Sequence, residues 1–180
     1  RAQLCGLPGL LTPRGGSGTV PPLMSDNKLA VVLLAAGQGT RMKSDRAKVL
    51  HELGGRPLVS YPVELARRLK ADPIVVVVGH RAAEVEHAVR ARAGDAIRFA
   101  EQREQKGTGH AVMQAMKALV GFEGRVLVLS GDVPFLSLET AKSALALARR
   151  KGHAAVLVTM RPKDPTGYGR VLRGPAEEVL

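Results

Sequence analysis

The stretch VVLLAAGQGTRMKSDRAK, Val31 to Lys48, decides how the rest of the chain is read. Leu29 to Leu34 is an unbroken apolar run rich in branched side chains, the pattern of a parallel strand covered on both faces. It breaks at once into a turn holding Gly37 and Gly39. A glycine turn after a strand suits a phosphate, because without a Cβ the backbone N–H groups approach closely and positive φ is open. Arg41 and Lys48 add charge of two kinds: a guanidinium grips phosphate through paired hydrogen bonds, and an ammonium acts as a mobile point charge.

Working outward, the 180 residues suit one substantial domain or a part of a larger protein. The composition is 45% hydrophobic with only 3% aromatic, which favours a core of Ala, Val and Leu in layered α/β form and argues against stacking platforms for bases. A net charge of +11 would suit nucleic acid, but Lys and Arg alternate with Glu along segments such as Arg81 to Arg92, the mark of a solvated surface. No nucleic-acid partner is expected. The lone Cys5 has no internal disulfide partner, and no apolar run reaches the roughly 20 residues of a membrane span, so the expectation is a cytoplasmic protein without a membrane partner.

Residues 1–27 carry Pro8, Pro13, Pro21, Pro22 and a GGSG run without an apolar period, and are expected to form a disordered tail. Met24 stands just before the first strand, so translation is expected to start there, with the preceding residues a mis-annotated start. Residues 28–180 are expected to form the domain. After the glycine turn, KVLHELGG reads as a short helix and a turn, and Leu58 to Leu69 as a longer helix. IVVVVG after Pro73 is a second continuous strand, followed by helical spacing from Ala82 to Val89. Ile97 to Ala100 is a shorter strand leading into the polar loop EQREQKGTGH and a helix from about Gly109 to Leu119. Val126 to Leu129 delivers Asp132 at its carboxyl end, residues 138–151 are helical, and HAAVLVTM reads as another buried strand. This alternation predicts a doubly wound, mostly parallel α/β sheet, whose ligands bind beyond the carboxyl ends of the strands. Gly37, Gln102, Gly107, Asp132 and Gly169 fall in segments that can reach that edge.

GQGTRM beside a downstream lysine is similar to the signature of sugar-nucleotide pyrophosphorylases. LAAGQGTRMKSDRAKVLHELGGRPLV, EQREQKGTGHAV, VLVLSGDVPFL and DPTGYGRVLR stand in the order and spacing found in bacterial N-acetylglucosamine-1-phosphate uridylyltransferases, the amino-terminal half of a bifunctional cell-wall precursor enzyme. The resemblance covers residues 29–173, and four ordered motifs are far more specific than one glycine turn. It implies a Rossmann-like, GT-A-like nucleotidyltransferase fold and transfer of UMP from UTP to N-acetylglucosamine 1-phosphate, with Mg2+ as cofactor. It further implies that the backbone of Leu34, Ala35, Ala36 and Gly37 lies along the nucleotide and that Arg41 and Lys48 face phosphates. On the same grounds Gln102, Gln105, Gly107 and Thr108 surround the uracil, Asp132 binds magnesium, and Gly169 lies against the sugar. An amide suits uracil because it offers both donor and acceptor, and a carboxylate is the hard ligand magnesium prefers.

Each residue also has a plainer reading. Gly37 and Gly39 serve ordinary turns, Arg41 and Lys48 are solvated charges, Asp132 caps a turn, Gln102 and Gln105 sit exposed, and Thr108 is the N-cap of the helix it precedes. The five histidines show no metal-ligand spacing; His110, beside the base loop, is the one with a place near the site. Ala47 stands where the family usually has proline. The resemblance implies further strands, a sugar-contacting acid and asparagine, and a late asparagine that completes the metal site, all past Leu180. It also implies an acetyltransferase half of hexapeptide repeats through which homo-oligomers would form. A fragment of the uridylyltransferase domain, incomplete at the C-terminus, is therefore expected, with weak turnover. The alternatives are a domain that binds a uridine nucleotide without turning it over, and a related guanylyl- or cytidylyltransferase.

Overall fold

The structure, a computed structural model, describes residues 2–8, 28–37, 39, 44–150, 153–175 and 179. These fall into two compact units, one within Leu23–Leu136 and the other drawn from Arg1–Pro22 and Ser137–Leu180.

The first unit is built on a four-stranded parallel sheet. β2 (Leu29–Leu34) runs down its middle, β5 (Ile74–Val78) and then β6 (Ile97–Glu101) lie to one side, and β7 (Arg125–Ser130) lies on the other, in the order β6-β5-β2-β7. Val31 pairs with Ile74 and Leu127, so the apolar runs of β2, β5 and β7 stand in register. All five residues of β5 and four of the six in β2 are buried, which is why these strands read as continuous apolar runs without alternation.

Helices cover both faces. Ala30, Val32, Val75 and Val77 point to one face, where Ala111 and Ala115 of α3 (Gly107–Lys117) and Leu119 just beyond it pack on them. The small side chains at 111 and 115 let that helix lie close to the sheet. The opposite parity, Val31, Leu33, Val76 and Val78, is equally buried. Its covering comes from α1 (Ser60–Arg68) and α2 (Ala82–Ala93), whose Val63, Ala66, Val85 and Val89 have no more than 2% exposure. Each such fully buried valine stabilises the fold by roughly 1.5–3 kcal/mol relative to an exposed one. The expected doubly wound α/β architecture is therefore present.

Several local expectations change. KVLHELGG forms a single 3-10 turn at Lys48–Leu50 and then a small hairpin, β3 (Glu52–Leu53) against β4 (Arg56–Pro57). Gly54 and Gly55, both at positive φ (58° and 71°), supply the tight reversal that a two-residue hairpin demands. α3 starts at Gly107, and Lys106 stands at its N-cap without a side-chain hydrogen bond, so Thr108 belongs to the first turn and is not the cap. At α4 (Leu138–Ala148) the Ser137 hydroxyl does cap, accepting from the Thr140 N–H.

The second unit holds α4, β8 (His153–Met160) and β1 (Ala2–Pro8), the two strands pairing antiparallel from Ala2 opposite Met160 to Pro8 opposite His153. This corrects two expectations. Ala2–Pro8 is strand and not tail, because a ladder with β8 satisfies its backbone without needing an apolar period; the rest of the expected tail, like the proposed start at Met24, lies outside the described residues. β8 is a strand as its sequence predicts, but an exposed one, with Leu157, Val158 and Met160 at 40%, 42% and 56%. An apolar run shows strand preference, whereas burial also needs covering elements, and among the described residues β1 and α4 are what pack on this strand.

Candidate functional site

The chain leaves β2 for β5 and β6 on one side and returns to β7 on the other, so the direction of winding reverses beside the carboxyl end of β2, the place where open α/β sheets bind ligands. Three loops meet there, and each is held by close backbone approach. The Ala35 N–H donates to the Val77 carbonyl at 2.9 Å and the Gly131 N–H donates to the Leu34 carbonyl at 2.9 Å. A Cβ on Gly131 would stand 2.9 Å from that carbonyl oxygen, and one on Gly79 would stand 3.0 Å from the Ala36 oxygen. Neither glycine was singled out from the sequence. Only its position at a strand's end marked it, since the close approach that requires it comes from distant parts of the chain.

Lys48 is fixed by what surrounds it in sequence. Ala47, Val49 and Leu50 are all buried, so the 3-10 turn is pinned to the core and the one side chain left to project is the lysine. Gly39, at φ +66°, folds the glycine loop back so tightly that a Cβ there would lie 2.6 Å from Lys48 Cβ. Ala47 itself holds φ −56° and ψ 135°, values that a proline would hold. Across the switch point, Lys48 Nζ donates to Asp132 Oδ2 at 2.5 Å, with the two side chains 43% and 31% exposed. A pair this open adds little to stability, about 0–1 kcal/mol, so its value is positional. It places an ammonium and a carboxylate together at the sheet edge that the glycine loop also reaches, where Gly37 is exposed with open space at its Cβ position. Arg81 steadies the return limb of the loop: its Nη1 donates to the Asp45 carbonyl and its Nε to Glu84 at 2.5 Å.

The loop between β6 and α3 is more buried than its sequence suggests. Gln102, expected exposed, is 5% exposed, while Gln105 and Thr108 lie at the surface. Gln102 Nε2 donates to the Gly107 carbonyl at 3.0 Å and lies 3.1 Å from His110 Nδ1, whose ring is met on its other side by the Gln114 amide at 2.8 Å. Gln105 Nε2 donates to the Ala36 carbonyl at 2.8 Å, tying the loop after β6 to the glycine loop across 69 residues of sequence. The plainer reading of the two as exposed groups fails for Gln102, which is buried; Gln105 is exposed as that reading has it, yet hydrogen-bonded to the glycine loop. A cleft of about 270 Å³ opens beside them, lined by Gly79, His80, Glu101, Gln102, Arg103 and Gln105. That is near the lower end of small-molecule clefts, roughly 300 Å³.

The structure thus brings together Leu34, Ala35, Ala36, Gly37, Lys48 and Asp132, with Gln102, Gln105, Gly107 and Thr108 on the adjoining loop. Arg41 lies outside the described residues. Gly169 belongs to the second unit, exposed and with open space where a Cβ would be, on the wall of a cleft of about 610 Å³ shared with Thr159, Pro165, Tyr168 and Arg170. In the turn before it, the Thr166 hydroxyl and then its N–H hydrogen-bond to Asp164 and hold that carboxyl below its ordinary range.

A parallel sheet wound both ways, with a glycine turn, a lysine and a carboxylate at its switch point, defines a nucleotide-handling α/β domain of the nucleotidyltransferase class. Residues 31–180 match the family model described as MobA-like NTP transferase domain, and the chain belongs to that family. It is 53% identical over 153 residues to the bifunctional protein GlmU of Anaeromyxobacter sp., covering 84% of this chain and 31% of that protein. Against the bifunctional protein GlmU of Pelobacter propionicus it is 52% identical over 155 residues, covering 84% and 33%. The chain thus spans about a third of the length of these curated relatives. Among solved structures, a nucleotidyl transferase from Methanothermobacter superimposes with a TM-score of 0.56 at 27% identity, covering 67% of this chain and 57% of that one.

Proposed function

We propose that this domain transfers UMP from UTP to N-acetylglucosamine 1-phosphate, releasing pyrophosphate and forming UDP-N-acetylglucosamine for cell-wall precursor synthesis. The observation that carries the reading is the Lys48–Asp132 pair, held at 2.5 Å at the switch point of a chain 53% identical to a GlmU protein. In this reading a phosphate oxygen of the sugar phosphate bonds to the α-phosphorus of UTP while the bond to the β-phosphate breaks and pyrophosphate leaves. The protein's work is positioning and charge neutralisation. Lys48 turns from Asp132 toward the phosphates, the Leu34–Gly37 backbone lines the nucleotide, Arg41 adds a second cation, and Gln102, Gln105, Gly107 and Thr108 receive the base. Gly169 is assigned to the sugar.

Magnesium fits the donor set in one specific way. Among the described residues no group of three or more His, Cys, Asp or Glu could hold a metal ion. Asp132 keeps one carboxylate oxygen free of Lys48, and magnesium commonly takes one or two carboxylates with phosphates and waters completing its shell. Asp132 would hold it, and bound there it would supply positive charge to the triphosphate. No helix among the described residues is long and apolar enough to cross a membrane; the site of action in this reading is the cytoplasm. Homo-oligomers, in this reading, would assemble through an acetyltransferase half.

The test is product formation. The chain is incubated with magnesium, N-acetylglucosamine 1-phosphate and, in turn, UTP, CTP and GTP, and the sugar nucleotide formed is measured. UDP-N-acetylglucosamine from UTP alone is the expected result; preference for GTP or CTP, or for another sugar phosphate, overturns the assignment.

A further inference from the structure

Gln102 is one of two buried polar residues in the described core, and the chemistry of its neighbours fixes which way its amide faces. The Gly107 carbonyl only accepts, so the atom 3.0 Å from it is the amide nitrogen and not the oxygen. That nitrogen has two hydrogens. One goes to Gly107, and the second points to His110 Nδ1 at 3.1 Å, which must accept it as a bare ring nitrogen. The ring proton then sits on Nε2, which lies 2.8 Å from Gln114 Nε2, so the Gln114 amide has to turn to bring its oxygen there as the acceptor. Turning the Gln114 amide for that purpose gives up an exposed contact with Lys117, a small loss for a helix surface pair. Both hydrogens of Gln102 Nε2 are therefore committed inward. That leaves Oε1 as the part of the amide available to a ligand, and Gln102 lines the 270 Å³ cleft.

We propose that His110 is a positioning residue for base selection: by accepting the second amide hydrogen of Gln102 it adds to the Gly107 bond in holding the amide with its carbonyl oxygen as the group offered to the cleft, so the cleft takes bases whose ring edge carries an N–H. The inference rests on the uridylyl reading above and deepens it. Uracil has a donor at N3, which a fixed acceptor matches, whereas cytosine has a lone pair there, which the same acceptor repels. Without His110, turning the amide by 180° to offer its NH2 to cytosine costs one hydrogen bond, to Gly107, and not two, so discrimination falls. A site built around a fixed hydrogen-bond polarity rejects the wrong base strongly because a buried polar group is left unpaired.

The test compares UTP with CTP on the whole chain. His110→Leu removes the acceptor at similar bulk. His110→Asn keeps an acceptor oxygen at the branch position Nδ1 occupies, and so rescues the contact with Gln102. The expected result is a fall of about tenfold or more in the UTP-to-CTP ratio of kcat/KM for the leucine variant, with most of the ratio kept by the asparagine variant. A general structural role would lower both nucleotides together in both variants, and that pattern overturns the proposal. Wild-type protein that prefers UTP while His110→Leu prefers it as strongly overturns this inference alone; wild-type protein with no preference for UTP overturns the functional reading beneath it. Should the leucine variant fail to fold, nitrogen NMR of the wild-type ring decides: Nδ1 is expected as the unprotonated nitrogen, and a proton found there refutes the lock.

Discussion

Gly39→Ala tests the claim that the glycine loop is shaped by the approach of Lys48 and not by a general liking for turns. Two costs add. At φ +66° an alanine meets the left-handed penalty, about 1–2 kcal/mol. Its Cβ would also stand 2.6 Å from Lys48 Cβ, an atom that cannot swing away because Ala47 and Val49 on either side are buried. Forcing that contact apart adds about 1–3 kcal/mol, as overpacking commonly does. The total, about 2–5 kcal/mol, corresponds to a fall in Tm of roughly 5–15 °C for a chain of this size. Gly37→Ala is the internal control: no atom lies within 4 Å of its added Cβ and its φ is outside the left-handed region, so its denaturation midpoint should match that of wild type. Its effect should fall on UTP affinity, since the methyl group enters the space assigned to the nucleotide. Urea denaturation of the three proteins, with UTP titration alongside, is the measurement. If Gly39→Ala unfolds within about 0.5 kcal/mol of Gly37→Ala, the account of the loop is wrong.

Asp132→Asn should lower product formation by about a hundredfold or more while moving Tm by only a few degrees, because the half-exposed pair with Lys48 carries position and little stability; a thermal melt beside a pyrophosphate-release assay separates the two. Ala47→Pro should raise stability by about 0.4–1 kcal/mol, since the backbone already holds φ −56°, and a loss in chemical denaturation would show that the buried site has no room for the ring. Deleting residues 1–8 should leave the β2-centred unit intact and strip protection from the amides of 154–160, read by hydrogen exchange, because β1 is their ladder partner; unchanged exchange would remove β1 from the account.

Legibility followed the range of the interaction that decided each feature. β2 and β5 announce themselves because coverage on both faces writes a continuous apolar run, and both are buried as read. β8 carries the same kind of run and stands exposed, since the run records a preference of the chain and not what packs against it. Lys48 and Asp132 could be named from motif and strand order, but their contact spans 84 residues and no local pattern shows it. Gln102 lies in a run of Glu, Gln, Arg and Lys that reads as solvated; its burial comes from Gly107 and His110 folding back over it, and from Gly79 allowing its strand end close to Ala36. Thr108 looked like a helix cap because cap residues are recognisable by type, yet the helix begins one residue earlier at Gly107, whose φ of +88° only glycine adopts without strain.

The two glutamines of the loop after β6 explain why the edge behaves as one device and not as three loops that share a neighbourhood. Gln105 spends its amide nitrogen on the Ala36 carbonyl, so the loop after β6 is fastened to the loop after β2. Gln102 spends its own on Gly107 and His110, so the same loop is fastened to the start of α3. Gly131 fastens the loop after β7 to Leu34. Each bond terminates on a backbone carbonyl or on a ring seated in a helix, groups that cannot move without moving an element of the core. A ligand entering this edge meets donors and acceptors whose direction was set by folding, which spares binding part of the ordering cost that flexible loops would impose. What stays movable is Lys48, half-exposed at the end of a flexible stem and paired with a carboxylate that a phosphate can replace. Under the proposed uridylyl transfer, that division between fixed groups for the base and a mobile cation for the phosphates suits the chemistry, because the base is bound once while the charge on the phosphates shifts as one bond forms and another breaks.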